Sequence, residues 1–215
     1  MLGERCCYET ISVLALALLL AHGCVSAPAV RRYPPDDVIW SPRTEYGRAY
    51  KNHNVTLLTS LVQSIQTSPQ LGSATLEREG LLVTYRAEEG DTGYYLSVHL
   101  TCNVVFNTLQ TNYLQRAASA YSRILFPFAC ILAEHPELLD YERISGVLVW
   151  LDWRATNFLE DRYRVFARTE GMNAFVSTPV LREFAGEKIS IQELGRRSVF
   201  TSTGGRTELD FSNIP

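Results

Sequence analysis

The chain has 215 residues, of which 46% are hydrophobic and 20% are charged, and its formal net charge is −3. This length suits one domain of ordinary size, and the composition excludes a generally disordered chain. The slight negative charge gives no reason to expect nucleic acid or an anionic membrane surface as a partner. Arginine outnumbers lysine by 18 to 2, a bias typical of GC-rich bacterial genomes.

The first 23 residues are predicted to be a signal peptide. Residues 11–21 form an uninterrupted apolar run, which is shorter than the roughly 20 residues needed to cross a bilayer but has the length of a signal-peptide core. The preceding segment is a poor match to such leaders, because Arg5 is offset by Glu4 and Glu9. The sequence therefore predicts an exported protein.

Two processing sites compete in the leader. Residues 21–24 resemble a lipobox, in which Cys24 becomes the lipidated first residue, whereas residues 27–29 have the A-x-A pattern of ordinary secretory cleavage. We favour lipidation of Cys24, because the segment that follows is rich in proline and predicts a stiff, extended tether. The expected protein is thus held at a membrane by its lipid.

The predicted organisation is a signal peptide over residues 1–23, a tether over residues 24–50 and a single domain over residues 51–215. An alternative for the tether is an irregular arm that packs along the domain, with Tyr33 and Trp40 as its anchors.

A helix and a strand are predicted first in the domain. Apolar residues recur at helical spacing over residues 54–66, with Asn54 as the N-cap and Ser68-Pro69 as the stop. Over residues 81–87, every second residue is apolar, and this spacing predicts a strand.

The clearest pattern in the chain is a strand over residues 94–106. Every second residue from Tyr94 to Phe106 is apolar, and the opposite side carries mainly polar residues, among them His99. Such alternation predicts one face in the core and one face against wetter surroundings. A turn over residues 88–93 joins this strand to the preceding one.

A long helix is predicted over residues 109–134, with an apolar face broad enough for burial against the sheet. Pro127 lies inside it and is expected to kink or divide it. Cys102 falls on the core side of its strand, and Cys130 lies near the apolar stripe of this helix. Two states stay open for this pair: a disulfide, or two buried thiols.

A second hairpin is predicted from two alternating segments, residues 147–153 and 163–167. A helix opened by Thr178-Pro179 and a shorter one opened by Ser190 follow, and residues 199–211 predict a small hairpin. The fold class is therefore α+β, with an antiparallel sheet of about four main strands in two hairpins. The long helix packs on one face, and further helices lie N- and C-terminal to the sheet.

His99 is the one candidate for acid–base chemistry. Its ordinary pKa lies near neutrality, and it shares the polar face of its strand with Ser97 and Thr101. A nucleophile elbow is missing from the sequence, so a surface histidine is the simpler interpretation. The absence of a CxxC pair or a Cys/His cluster predicts no metal site, and we expect no cofactor.

The outer face of the second hairpin is the candidate binding surface. Flat aromatic side chains beside forked cationic donors suit an anionic or aromatic ligand, or a protein surface with matching hot spots. Its predicted members are Trp150, Phe166, Arg154, Arg162, Arg164 and Arg168. The alternative is that a helix covers this face and the two aromatic residues form a second small core.

These observations favour an exported, lipid-anchored bacterial envelope domain with a non-catalytic binding or scaffolding role. Its expected partner is an envelope protein or another envelope component, with membrane contact through the lipid anchor only and no nucleic acid. One alternative is an exported hydrolase that uses His99. Another is a carrier of a small apolar ligand in a cavity between the long helix and the sheet.

Overall fold

A computed structural model describes residues 31–40, 42, 44–88 and 91–211. The predicted signal peptide, Cys24 and the first part of the predicted tether lie outside the described residues. Among the described residues, no helix is long and apolar enough to cross a bilayer.

The described chain folds into a sheet of six strands with six helices. The helices are α1 (Pro35–Val38), α2 (Glu45–Thr67), α3 (Tyr113–Ala133), α4 (Glu137–Asp140), α5 (Thr178–Ala185) and α6 (Ile191–Arg197). The strands are β1 (Ala74–Glu88), β2 (Asp91–Asn107), β3 (Ile144–Thr156), β4 (Arg168–Ser177), β5 (Val199–Ser202) and β6 (Gly205–Thr207). The mixed α and β class agrees with the prediction, whereas the sheet has more strands than the four expected.

The strands lie side by side in chain order from β1 to β6. Neighbouring strands are antiparallel except β2 and β3, which run parallel. The parallel pair follows from the connection, because α3 and α4 return the chain to the end of the sheet where β2 began. The predicted order of helix, hairpin, long helix, hairpin and helix is the one observed.

One layer of helices covers one face of the sheet. The core residues from α2, α3 and α5 join those of the central strands in a single apolar cluster. Leu96, Val98 and Leu100 of β2 are fully buried there, as is Leu151 of β3. The side chains that alternate with these four therefore project from the opposite face.

Residues 35–40 and 44–50 are part of the described fold. Val38 and Ile39 are buried in the core cluster, and the Trp40 amide donates to the Leu81 carbonyl at 3.0 Å. Helix α2 begins nine residues before the predicted start, because Thr44 caps it by accepting from the Gly47 amide at 3.1 Å.

Asn54 is therefore not an N-cap, and that prediction was wrong. It is buried within α2, where its side-chain amide donates to the Tyr50 carbonyl at 3.1 Å. The first two turns of α2 have no large aliphatic residue and contain a glycine, Gly47, so their helical periodicity is weak in the sequence. The predicted stop is correct, since Ser68 is the C-cap.

Helix α3 runs through Pro127 as one element, so the predicted division does not occur. Cys102 and Cys130 are both thiols, and the alternative of a disulfide between them is not observed. Cys102 points from β2 into the core, whereas Cys130 is exposed on α3. Burial raises the pKa of the Cys102 thiol.

The predicted strand over residues 163–167 was wrong. These residues lie in the connection between β3 and β4, and the strand that pairs with β3 begins at Arg168. The Asp161 carboxylate explains the difference, because it accepts from the backbone amides of Val165 and Phe166, both at 2.9 Å. Those amides are thereby turned inward to a side chain instead of to a neighbouring strand.

Candidate functional site

The face of the sheet opposite the helices is largely open, and we call it the open face. Trp150, at its centre on β3, is 49% exposed, so no described helix covers it. Tyr95 and Phe175 are buried on this face but lie outside the main core cluster. The open face thus has buried side chains of its own, which do not belong to the core on the helix side.

Three side chains at the centre of the open face form a connected group, the His–Trp–Asp cluster. The parallel register places His99 of β2 opposite Trp150 of β3. Their rings stack, with centroids 4.6 Å apart and planes 16° from parallel. Asp152 lies two residues after Trp150 and therefore on the same face.

The Asp152 carboxylate links both rings of the cluster. Its Oδ2 lies 3.0 Å from His99 Nε2, and its Oδ1 accepts from Trp150 Nε1 at 3.2 Å. Each ring is therefore fixed by stacking and by one carboxylate oxygen. The indole keeps half of its surface in water while its orientation is set before any ligand arrives.

Gly171 on β4 leaves the space that the Asp152 carboxylate occupies. A Cβ on Gly171 would lie 2.2 Å from Asp152 Oδ1, which is closer than two such atoms can approach. The Gly171 carbonyl accepts from the Tyr113 hydroxyl of α3 at 2.8 Å, which ties this part of β4 to the helix layer. A side chain at this position would displace the carboxylate from the two rings.

Aromatic and cationic groups flank the cluster on both sides. Tyr95 and Phe175 meet edge to face at 5.7 Å, and the Arg86 guanidinium lies over the Phe175 ring at 3.4 Å. Toward the other end of β3, Arg154 donates to the Arg164 carbonyl at 3.2 Å. The open face therefore combines a central exposed indole with a cation and an aromatic pair around it.

The structure separates the residues predicted for the binding surface. His99, Trp150 and Arg154 lie on the open face. Phe166 and Arg164 lie in the connection between β3 and β4, where Phe166 is exposed and the Arg164 guanidinium lies over the Phe158 ring at 4.6 Å.

Arg168 lies on the helix side of the sheet and not beside Arg154. It pairs with Glu170, which also receives a two-point contact from the buried Arg116 of α3, with both N–O distances at 2.8 Å. The prediction of one shared surface failed because it depended on a strand over residues 163–167. Because β4 begins at Arg168, its residues face the opposite sides of the sheet from those predicted.

Neither Asp152 nor Gly171 was among the predicted site residues, although Asp152 lies two residues from both Trp150 and Arg154 in the sequence. The contact between Asp152 and His99 requires the parallel pairing of β2 with β3, which depends on the path of α3. Nothing in the sequence marks Gly171 as a site residue, because a glycine within a strand usually indicates only a weak strand position.

Comparison with known proteins gives no further guide to the site, since no family model, curated protein or solved structure matches this chain. Among the described residues, no group of three His, Cys, Asp or Glu side chains is placed to hold a metal ion. What the site can bind or catalyse therefore follows from its own geometry.

Proposed function

We propose that this chain is an exported, lipid-anchored domain of the bacterial envelope that binds an envelope protein through the open face of its sheet. The observation that carries the proposal is Trp150, a half-exposed indole held in place by His99 and Asp152. Export and lipidation rest on the leader and on Cys24.

A fixed aromatic side chain is well suited to protein recognition. Tryptophan is enriched among residues that dominate binding energies, because it buries a large rigid surface and can still donate one hydrogen bond. Trp150 loses little side-chain entropy on binding, since its ring is already ordered by the cluster. Polar groups around it, including Asp152 and Arg154, can form the rim that excludes water.

The test is capture of partners from a bacterial envelope extract by the immobilised protein and by matched variants. Trp150→Ala should lower the amount of captured partner by at least about tenfold, as expected for a hot-spot residue. Val55→Ala is the control, because Val55 is also about half exposed but lies on α2 in the helix layer. Equal capture by the Trp150→Ala variant would contradict the proposal.

The contact between His99 and Asp152 also favours a second function, an exported hydrolase. A carboxylate 3.0 Å from one ring nitrogen orients an imidazole, so that the other nitrogen can accept a proton from water or a substrate hydroxyl. Hydrolysis of ester and amide model substrates, measured for wild type and for His99→Gln, tests this function. It requires turnover that His99→Gln abolishes and that the control Val55→Ala retains.

Carriage of an apolar ligand has less support from the structure. An apolar cavity among α3, α4 and α5, lined by Leu132, Leu139 and Leu181, has a volume of about 40 Å³, and it lies between helices and not between the long helix and the sheet, where the ligand was expected. Ligand pockets usually have volumes of about 300 to 1,000 Å³. This cavity has room for one or two water molecules only, so the open face is the better candidate.

A further inference from the structure

The connection between β3 and β4, residues 157–167, exposes large apolar side chains to water, and we call it the apolar loop. Leu159, Tyr163, Val165 and Phe166 are 77%, 90%, 67% and 84% exposed, which makes them the four most exposed large apolar residues among those described. Isolated exposed apolar residues are common on protein surfaces. A group of four within eight residues is a feature that marks an interaction site.

The apolar loop is held in this conformation by Asp161, which is buried. Its two carboxylate oxygens accept from the Val165 and Phe166 amides at 2.9 Å, and Oδ2 also accepts from the Thr156 hydroxyl at 3.2 Å. The Asp161 amide donates to the Asn157 carbonyl at 2.8 Å. These hydrogen bonds keep the apolar side chains outside, because turning them inward would break several hydrogen bonds to a buried carboxylate.

Cationic side chains surround the apolar loop. The apolar loop itself contains two arginines, 162 and 164, and two acids, Glu160 and Asp161, and Arg154 adjoins it by donating to the Arg164 carbonyl at 3.2 Å. Asp161 is buried and bonded to backbone amides, and Arg168 pairs with Glu170. Arginines 154, 162 and 164 thus exceed Glu160 and Asp161 by one charge, and this small positive excess complements an anionic surface.

We propose that the apolar loop docks this domain on an anionic lipid bilayer. Leu159, Val165 and Phe166 enter the apolar boundary of the bilayer, and Tyr163 lies at the level of the headgroups, where aromatic residues with a polar tip are favoured. The arginine guanidinium groups contact lipid phosphates. This contact goes beyond the proposed protein binding and is additional to the lipid on Cys24.

The form of the loop favours a bilayer over a protein partner. Its apolar side chains protrude from a connection at the end of the sheet, and they are more exposed than Trp150 on the open face. A fluid apolar phase accepts protruding side chains without a complementary pocket, whereas a protein partner must supply one for each. The excess of arginine adds attraction to anionic lipids in particular.

The experiment measures binding of the full chain to vesicles by co-sedimentation. The chain carries Cys24→Ser in every sample, so that a lipid on this residue contributes to none of them. Vesicles of phosphatidylglycerol and phosphatidylcholine are compared with vesicles of phosphatidylcholine alone. We expect at least tenfold stronger binding to the anionic vesicles, and a decrease when the salt concentration is raised.

Matched variants assign the binding to the loop. Leu159→Ser with Phe166→Ser should lower binding to anionic vesicles by at least tenfold, and Arg162→Gln should lower it several-fold. The control is Val55→Ser with Ile191→Ser, two exposed apolar residues on α2 and α6, which should leave binding unchanged. All five positions are exposed, and unchanged thermal unfolding verifies that each variant is folded.

Vesicle binding that the loop variant retains, or that does not depend on anionic lipid, would overturn the inference. A loop variant that retains vesicle binding and also no longer captures an envelope protein would overturn it in favour of a protein contact at the loop. Trp150→Ala separates this inference from the proposed function, because it should lose the protein partner and keep the binding to vesicles.

Discussion

At the scale of single residues, Asp152 determines the geometry of the His–Trp–Asp cluster. It fixes His99 through one oxygen and Trp150 through the other, and it fits only because Gly171 has no side chain. The sequence placed His99 and Trp150 on the polar sides of their strands. It could not place them against each other, because residues in different strands become neighbours only when the register is known.

Gly171→Ala should disturb the cluster without unfolding the domain. The new methyl group would meet Asp152 Oδ1 and move the carboxylate away from both rings. We expect a loss of about 1–2 kcal/mol in the free energy of unfolding and a marked decrease in partner capture. Denaturant unfolding and the capture assay measure the two effects.

Gly204→Ala is the matched control for this change. A Cβ on Gly204 would meet only the Ser202 hydroxyl, at 3.7 Å, in the turn between β5 and β6. It should leave partner capture unchanged. If Gly171→Ala captured the partner as well as Gly204→Ala does, the carboxylate would not be needed for binding.

At the scale of elements, Glu170 joins the helix layer to β4. It accepts from Arg116 of α3 through both oxygens and from Trp153 Nε1 of β3 at 2.9 Å. Burial raises the pKa of Glu170, but hydrogen bonds from Arg116 and Trp153 and the charges of Arg116 and Arg168 lower it by more, so the net shift is downward.

Glu170→Gln should lower the free energy of unfolding by about 3 kcal/mol at neutral pH, because it leaves the Arg116 charge buried without its carboxylate. Since the pKa is lower in the folded state, the ionised carboxylate stabilises the fold above its unfolded pKa of about 4.3. This stabilisation is lost as the pH falls through the lowered folded value. Denaturant unfolding at several pH values should therefore show the variant and wild type converging in acid.

The control for the pH dependence is Glu183→Gln. Glu183 also has a lowered pKa, because Arg197 donates to it, but this pair lies at the surface and is screened by water. Its loss should change the stability little at any pH. A Glu170→Gln variant that behaved like Glu183→Gln would show that the buried pair does not connect the two layers.

The helices and strands with the longest or most distinctive sequence patterns were the ones predicted correctly. Strand β2 follows from thirteen alternating residues, and the start of α5 follows from a proline in the first turn. Strand β4 was missed because Gly171 and Asn173 are poor strand residues, while residues 163–167 alternate more clearly. There, the hydrogen bonds of one buried carboxylate, Asp161, outweighed the alternating pattern.

At the scale of the whole molecule, the open face and the apolar loop give the domain two surfaces of different chemistry. One presents a fixed indole among polar groups, and the other presents aliphatic and aromatic side chains among arginines. The net charge of −3 concealed the positive loop, because composition averages over the chain. An envelope domain with both surfaces would bind a protein partner while lying against its membrane.

The lipid anchor is tested by Cys24→Ser and membrane fractionation. We expect the wild-type protein to stay in the membrane fraction after a salt wash, because a lipid anchor does not depend on ionic strength, and the variant to be released by the same wash. Cys130→Ser, on the exposed side of α3, is the control and should fractionate as wild type does. Equal retention of the Cys24→Ser variant would remove the anchor from the proposal.

Binding of an envelope protein by the open face can be detected by site-specific photocrosslinking in living cells. A photoreactive residue at Asn173, which pairs with Trp150 across β3 and β4, is compared with one at Gln63, exposed on α2 in the helix layer. We expect a discrete protein adduct from position 173 only, and we expect Trp150→Ala to abolish it. No adduct from position 173, or the same adduct from position 63, would contradict it.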